Sequence, residues 1–148
     1  MKILIVYDTY SSGTLVVSEL LQEELTNAGN TAEIINVANA DLNTFKNYDL
    51  VLLGSPSWMN NNKDGQPHHT YYAFMEEMKK MNWENTKFAV FGLGDNAYAR
   101  LCGAVDVLET FVKEIKGKLI VDSLRIDSFY FEQKNNEEKA RKWAHSIV

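Results

Sequence analysis

The sequence is poor in cysteine, in positive charge and in long apolar runs. Its 148 residues include one cysteine, Cys102, so no disulfide can form within the chain. A single thiol fits a reducing compartment, and we expect a cytoplasmic protein. The 15 Lys and Arg are outnumbered by 20 Asp and Glu, which gives a formal net charge of −5. Because nucleic-acid binders carry basic patches, this balance argues against nucleic acid and favours partners with basic surfaces.

No apolar run approaches the roughly 20 residues that a membrane helix needs, so we expect no membrane association. Strand-like sequence begins at Lys2, and we expect no signal peptide before it. The hydrophobic content of 45% is ordinary for a globular domain, and the length is sufficient for one sizeable core. We therefore expect residues 1–148 to form a single domain, and nothing in the sequence demands more than a monomer.

Short apolar runs alternate with stretches of helical periodicity along the chain. The runs typical of strands are 3–7, 33–37, 50–53, 88–91 and the beginning of another at 119–121. Apolar stripes at helical spacing lie within 16–25, 74–81, 101–115 and 143–147. Most of the strand-like runs are apolar throughout, as expected of strands that are covered on both faces. This βαβαβαβαβα alternation predicts a parallel sheet with helices on both faces.

The loop after the first strand is rich in hydroxyl groups and contains no Lys or Arg. It consists of Thr9, Tyr10, Ser11, Ser12, Gly13 and Thr14. A loop that enters a helix offers free backbone N–H groups and a positive dipole end to an anion. The Walker loop needs a Lys and the dinucleotide fingerprint needs three glycines, and this loop has neither. It therefore predicts a site for a monophosphate, and flavin mononucleotide (FMN) is the obvious ligand.

Two further loops follow strands and carry groups suited to a planar ring. The loop after the third strand contains Pro56, Ser57, Trp58, Met59 and Asn60. The loop after the fourth strand contains Leu93, Gly94, Asp95 and Tyr98, with Cys102 shortly beyond. In open parallel sheets, ligands lie beyond the carboxyl ends of the strands, so these loops should meet the first one. Trp58 and Tyr98 would offer flat aromatic faces there.

The whole chain resembles the flavodoxin family. The most specific stretch is 91–98, with the sequence FGLGDNAY, continued by LCGAVD at 101–106. Thr9, Ser11 and Thr14 match the family's T-x-T-G-x-T phosphate loop, and Trp58 matches the tryptophan that flanks the flavin. The resemblance implies an α/β fold, a doubly wound five-stranded parallel sheet of order 2-1-3-4-5, in the short-chain branch of the family.

The same resemblance implies an electron carrier that holds FMN non-covalently and shuttles electrons at low potential between redox enzymes. It implies that the flavin ring lies between Trp58 and Tyr98 and that the backbone from Leu93 to Asp95 bonds its pyrimidine edge. We expect redox-partner proteins with basic docking surfaces, no catalytic residues and no metal. Cys102 is interpreted as a small buried residue under the cofactor loop, since no paired His accompanies it.

Other functions remain open on this architecture. An FMN-dependent oxidoreductase that reduces a quinone or a similar small molecule is the main alternative. Two stacking aromatics argue against it, whereas the unusual loop from Met59 to His69 keeps it open. A module that has lost flavin and only binds partners is a further alternative. A receiver domain is rejected, because Gly54-Ser55-Pro56 stands where a phosphorylatable Asp would be needed.

Three positions depart from the family pattern. Ser12 stands where a glycine is usual, so either it adopts a positive φ at a cost of about 1–2 kcal/mol or the turn shifts by one residue. Met59 follows Trp58 where short-chain members often have glycine, and 60–63 replaces a segment that is often acidic. We hypothesise that these changes make the one-electron-reduced flavin less stable than is usual in the family.

Overall fold

The computed structural model describes residues 1–96 and 101–148, which form parallel strands flanked by helices. In chain order the elements are β1 (Lys2–Tyr7), α1 (Gly13–Asn27), β2 (Thr31–Asn36), β3 (Leu50–Pro56), β4 (Trp58–Asn60), β5 (Lys63–Gln66), α2 (Thr70–Met78), β6 (Lys87–Gly94), α3 (Gly103–Glu114), β7 (Lys118–Leu119), β8 (Leu124–Asp127) and α4 (Gln133–Ile147).

The main sheet has the order β2-β1-β3-β6, and its fifth position is shared by β7 and β8. The short β7 pairs with the start of β6, and β8 pairs with its end from Phe91 to Gly94. The predicted order 2-1-3-4-5 is confirmed, although the last strand is split into two pieces. Between them the carbonyl of Asp122 accepts a hydrogen bond from the indole N–H of Trp143 at 2.7 Å. Between β7 and β8 the backbone is thus hydrogen-bonded to a side chain of α4, and this segment interrupts the pairing with β6.

The connection from β2 to β3 contains two short 3₁₀ helices, Val37–Asn39 and Leu42–Asn47. The strict alternation predicted an α-helix here, and this part of the prediction is wrong. The side chain of Asn36 accepts a hydrogen bond from the N–H of Ala38, and that of Asp41 accepts one from Asn43. Such local side-chain bonds compete with α-helical pairing, which explains the short turns.

The sheet separates two apolar cores, as expected when helices cover both faces. Ile3 and Ile5 point towards α1 and α4, whereas Leu4 and Val6 point towards α2 and α3. This division follows from the two-residue period of a strand. The prediction of helices on both faces is therefore confirmed.

Tyr71 of α2 fixes the ends of the two strands from which the site loops leave. Its side chain is fully buried, and its hydroxyl lies 3.0 Å from the carbonyl oxygen of Val6 and 2.8 Å from that of Gly54, donating towards both. Burial raises the pKa of Tyr71 well above its usual value, so the hydroxyl stays protonated and remains a donor. The ends of β1 and β3 are thereby held at one level.

We expect Tyr71→Phe to lower the free energy of unfolding by about 1–2 kcal/mol, because two buried acceptors lose a donor. Urea unfolding of the protein without ligand measures this. The control is Tyr72→Phe, whose half-buried hydroxyl donates to Oε1 of Gln66 at 2.9 Å. Equal losses in the two variants would contradict a special role for Tyr71.

Candidate functional site

A cavity of about 270 Å³ opens at the carboxyl ends of β1, β3 and β6. All three predicted loops contribute to its wall. The residues from these loops are Thr9, Tyr10, Ser11, Gly13, Thr14, Pro56, Ser57, Trp58, Leu93, Gly94 and Asp95. The sheet therefore brings together the segments that the sequence had singled out.

Four predicted site residues lie off the cavity wall, and a fifth lies outside the described residues. Ser12 precedes α1 as its N-cap, whereas Met59 and Asn60 belong to strand β4. Cys102 is fully buried behind Gly94, where a β-carbon would come within 2.6 Å of the Cys102 nitrogen. Tyr98 falls in the undescribed segment 97–100, so the predicted aromatic sandwich stays a prediction.

The start of α1 presents unpaired donors to the cavity. The first hydrogen bond of the helix runs from the N–H of Val16 to the carbonyl of Ser12 at 3.0 Å. Within the described chain, no backbone N–H of residues 10–15 has a protein acceptor. Such a row of N–H groups at a helix N-terminus suits an anion.

Two buried hydroxyl groups provide a second, independent indication of a ligand. Oγ1 of Thr9 and Oγ1 of Thr14 are buried and have no hydrogen-bond partner among the described residues, and Thr14 is 1% exposed. A buried hydroxyl without a partner costs about 1–3 kcal/mol, so a native chain keeps one where a ligand satisfies it. Neither hydroxyl carries charge. The loop can therefore bind a phosphate through neutral donors alone, as the sequence predicts.

Ser12 adopts a left-handed conformation, with φ 70° and ψ −5°. Of the two outcomes foreseen for this departure from the family pattern, the strained one is observed. Gly13 explains why the glycine stands one residue later. A β-carbon at Gly13 would lie 2.9 Å from Cδ2 of Leu93, so a larger residue there would require the end of the Leu93 side chain to shift. Ser12 accepts the positive φ at a cost of about 1–2 kcal/mol.

Trp58 contacts an aromatic partner that the sequence analysis did not propose. Its ring centroid lies 4.2 Å from that of Tyr10, with 34° between the ring planes. Both side chains are exposed, at 41% and 64%. A flat aromatic surface therefore stands at the cavity mouth next to the anion-binding loop.

Sequence reasoning missed the fourth wall of the cavity, which is Ser128–Phe131 after β8. The N–H of Ser128 donates to the carbonyl of Gly94 at 2.8 Å. The hydroxyl of Tyr130 donates to the backbone carbonyl of Ser11, also at 2.8 Å. Phe131 is 87% exposed. The sequence did offer a signal for this segment. Ligands of open parallel sheets bind beyond the carboxyl ends of the strands, and this aromatic segment also follows a strand at that edge.

The segment after Trp58 is a small hairpin, and sequence reasoning missed this too. Strands β4 and β5 pair antiparallel, with Asn60 opposite Lys63. Asn61 and Asn62 both have positive φ, 52° and 61°, which is typical of a two-residue type I′ turn. The pair of asparagines was the signal, since Asn tolerates this conformation better than most residues.

The described residues contain no group of three His, Cys, Asp or Glu side chains placed to hold a metal ion. Within the same part of the chain, every helix is too short or too polar to cross a membrane.

The fold and the anion-binding loop define a doubly wound domain for a phosphorylated ligand. A family profile described as Flavodoxin matches residues 5–143. The chain is 34% identical over 130 residues to probable flavodoxin 2 of Bacillus subtilis, which covers 86% of this chain and 82% of that protein. It is 28% identical over 148 residues to the flavodoxin of Nitratidesulfovibrio vulgaris, which covers 99% of this chain and 97% of that protein. The chain therefore belongs to the flavodoxin family.

The fold agrees with this assignment. The crystal structure of oxidised flavodoxin 2 from Bacillus cereus superposes with a TM-score of 0.86 at 28% identity, covering 97% of this chain and 95% of that one. The resemblance noted in the sequence is thus confirmed over almost its whole length.

We expect Ser12→Gly to raise the free energy of unfolding by about 1 kcal/mol, because glycine adopts positive φ without a β-carbon clash. Urea unfolding without ligand measures the change. Ser12→Ala is the control, since alanine keeps the strain and should stay within about 0.5 kcal/mol of the starting protein. An equal gain in both variants would show that φ strain is not the cause.

Proposed function

We propose that the cavity holds FMN with its phosphate in the loop of residues 9–14 and its ring beside Trp58. As a member of the flavodoxin family, the chain is an FMN-binding electron-transfer protein and not an enzyme. No observation favours the alternative, an oxidoreductase acting on a quinone or a similar small molecule. The residues that we propose to bind the cofactor belong to the wall of the cavity.

The unpartnered hydroxyls of Thr9 and Thr14 carry this assignment. They are buried beside the free N–H groups of the helix start, and the loop contains no cation. Several neutral donors converging on one point bind a phosphate through hydrogen bonds and the helix dipole. This donor set fits FMN, which ends in a single phosphate, better than a dinucleotide, which lacks a terminal phosphate.

The ring of the cofactor fits the other half of the cavity. Trp58 offers an aromatic ring for stacking, and the ring of Tyr10 packs against it with the centroids 4.2 Å apart. Leu93, Gly94 and Asp95 line the cavity at the end of β6, where their backbone is placed to meet the polar edge of the ring. Bound FMN supplies the capacity to take up and release single electrons. The protein residues bind it, orient it and shield it from water.

The electrons pass between this protein and redox-partner proteins, which is the shared role of the family. We further propose that these partners dock with basic surfaces, that the protein is a monomer and that it is cytoplasmic. The net charge of −5 supports attraction to basic surfaces. The exposed rings of Trp58 and Phe131 at the cavity rim give such partners an apolar contact close to the cofactor. A single buried thiol agrees with a reducing compartment.

We expect Thr14→Val to raise the Kd for FMN by about tenfold, because a donor to the phosphate is lost. Riboflavin lacks the phosphate, so its Kd should stay unchanged, and the unfolding free energy of the ligand-free protein should not fall. Quenching of flavin fluorescence measures both Kd values. Thr14→Ser keeps the hydroxyl and should retain most of the FMN affinity. A matching loss of riboflavin affinity in Thr14→Val would argue against a phosphate role.

We expect Trp58→Ala to weaken FMN and riboflavin alike, by about 10- to 100-fold, because the stacking surface serves the ring that both share. Trp58→Phe should recover much of the loss. Cys102→Ser should change either Kd by less than about threefold, since Cys102 lies behind Gly94 and away from the wall. Similar effects of Trp58→Ala and Cys102→Ser would contradict this placement of the ring.

A further inference from the structure

A buried carboxylate directly precedes the loop that we assign to the phosphate. Asp8 is only 5% exposed, and its own N–H donates to the carbonyl of Gly54 at 3.1 Å. Its Oδ1 accepts the N–H of Thr9 at 2.8 Å, which orients the first residue of the loop. Asp8 thus helps to place one of the two unpartnered hydroxyls. It also sets a negative charge beside a site for a dianion.

His68 stands against this carboxylate from a distant part of the chain. Its Nδ1 lies 2.5 Å from Oδ2 of Asp8, so the imidazole and the carboxylate are in direct hydrogen-bond contact. Both side chains are largely buried, and the N–H of His68 donates to Oγ of Ser55 at 3.0 Å. The histidine is held by the segment between β5 and α2, so its position is set by the hairpin and not by the phosphate loop.

No lysine or arginine shares this task in the described part of the chain, where His68 is the ion-pair partner of Asp8. The other polar groups nearby are the rings of Tyr10 and His69, 6.3 and 4.2 Å from the His68 ring, and the hydroxyl of Tyr71. A buried carboxylate without a compensating partner is strongly unfavourable, and a phosphate beside it adds repulsion. Compensation at this point therefore falls to His68.

We propose that His68, through its contact with Asp8, offsets the charge of this buried carboxylate and thereby lets a loop without Lys or Arg accept the phosphate of FMN. His68 is a positioning residue that acts through Asp8, and it makes the site selective for phosphorylated over unphosphorylated flavin. This inference rests on the proposed binding of FMN. The competing explanation is a purely structural clamp between the hairpin segment and β1, which would affect both flavins equally.

The test compares the Kd values of FMN and riboflavin at fixed pH and ionic strength. His68→Asn places an amide nitrogen where Nδ1 stands, so it keeps a donor to Asp8 but removes the imidazole, the group that can carry a proton. We expect the Kd of FMN to rise by about tenfold or more and that of riboflavin by less than about threefold. His69→Asn is the matched control for removal of a neighbouring imidazole, because His69 is exposed and packs against the ring of His68, whereas the 2.5 Å contact with Oδ2 of Asp8 belongs to His68. His69→Asn should change both constants by less than about threefold.

Neutralising the carboxylate should reverse the loss. We expect Asp8→Asn combined with His68→Asn to restore the Kd of FMN to within about threefold of the starting protein. Asp8→Asn alone keeps His68 and removes the carboxylate, and it should bind FMN at least as tightly as the starting protein. The Asp8→Asn variant and the double variant test the proposal even if His68→Asn alone does not fold. A loss of FMN affinity without a loss of riboflavin affinity in either variant would overturn the proposal.

A measurement without flavin provides a second readout. Inorganic phosphate should raise the urea midpoint of the ligand-free starting protein and of the double variant, but not that of His68→Asn. Equal weakening of FMN and riboflavin by His68→Asn, or protection of that variant by phosphate, would overturn the charge compensation. A starting protein that binds no FMN would instead refute the proposed function, so the two failures are distinguishable.

Discussion

The parallel pairing of β3 with both β1 and β6 is the constraint on which the site depends. Tyr7 pairs with Gly54, and Gly54 pairs in turn with Phe91, so the three strands end at nearly the same level. Gly54 permits this, because a β-carbon there would lie 2.0 Å from the Phe91 ring. With that ring over the strand, the three loops leave the sheet close together. The site is therefore a consequence of register and of one glycine beneath a phenylalanine.

The end of β1 and the loop that follows it concentrate features that lower stability. Ser12 carries a positive φ, Thr9 and Thr14 bury unpartnered hydroxyls, and Asp8 buries a carboxylate. Each is unfavourable in the chain alone, and the two hydroxyls are the groups among them that could donate to a bound anion. The fold tolerates them because β1 and α1 are held by apolar packing on both faces of the sheet.

The elements that the sequence predicts well are those defined by nearby residues. Periodicity indicates the strands and helices, and the three loops singled out in the sequence supply 11 of the 15 residues that line the cavity. The hairpin turn at Asn61 and Asn62 also had a local signal. By contrast, the contact of His68 with Asp8 spans 60 positions, and the Trp58–Tyr10 contact spans two separate loops. Such contacts depend on the finished register, which composition and spacing do not specify.

Cys102, the only cysteine of the chain, is buried and can therefore report local opening of the native fold. Cys102 is inaccessible in the native fold, and burial raises its pKa to about 11, so little thiolate exists at neutral pH. A thiol reagent can reach it only when the start of α3 separates from the sheet. The rate of its modification therefore reports local opening beneath the end of β6, in the untreated protein and without any introduced label.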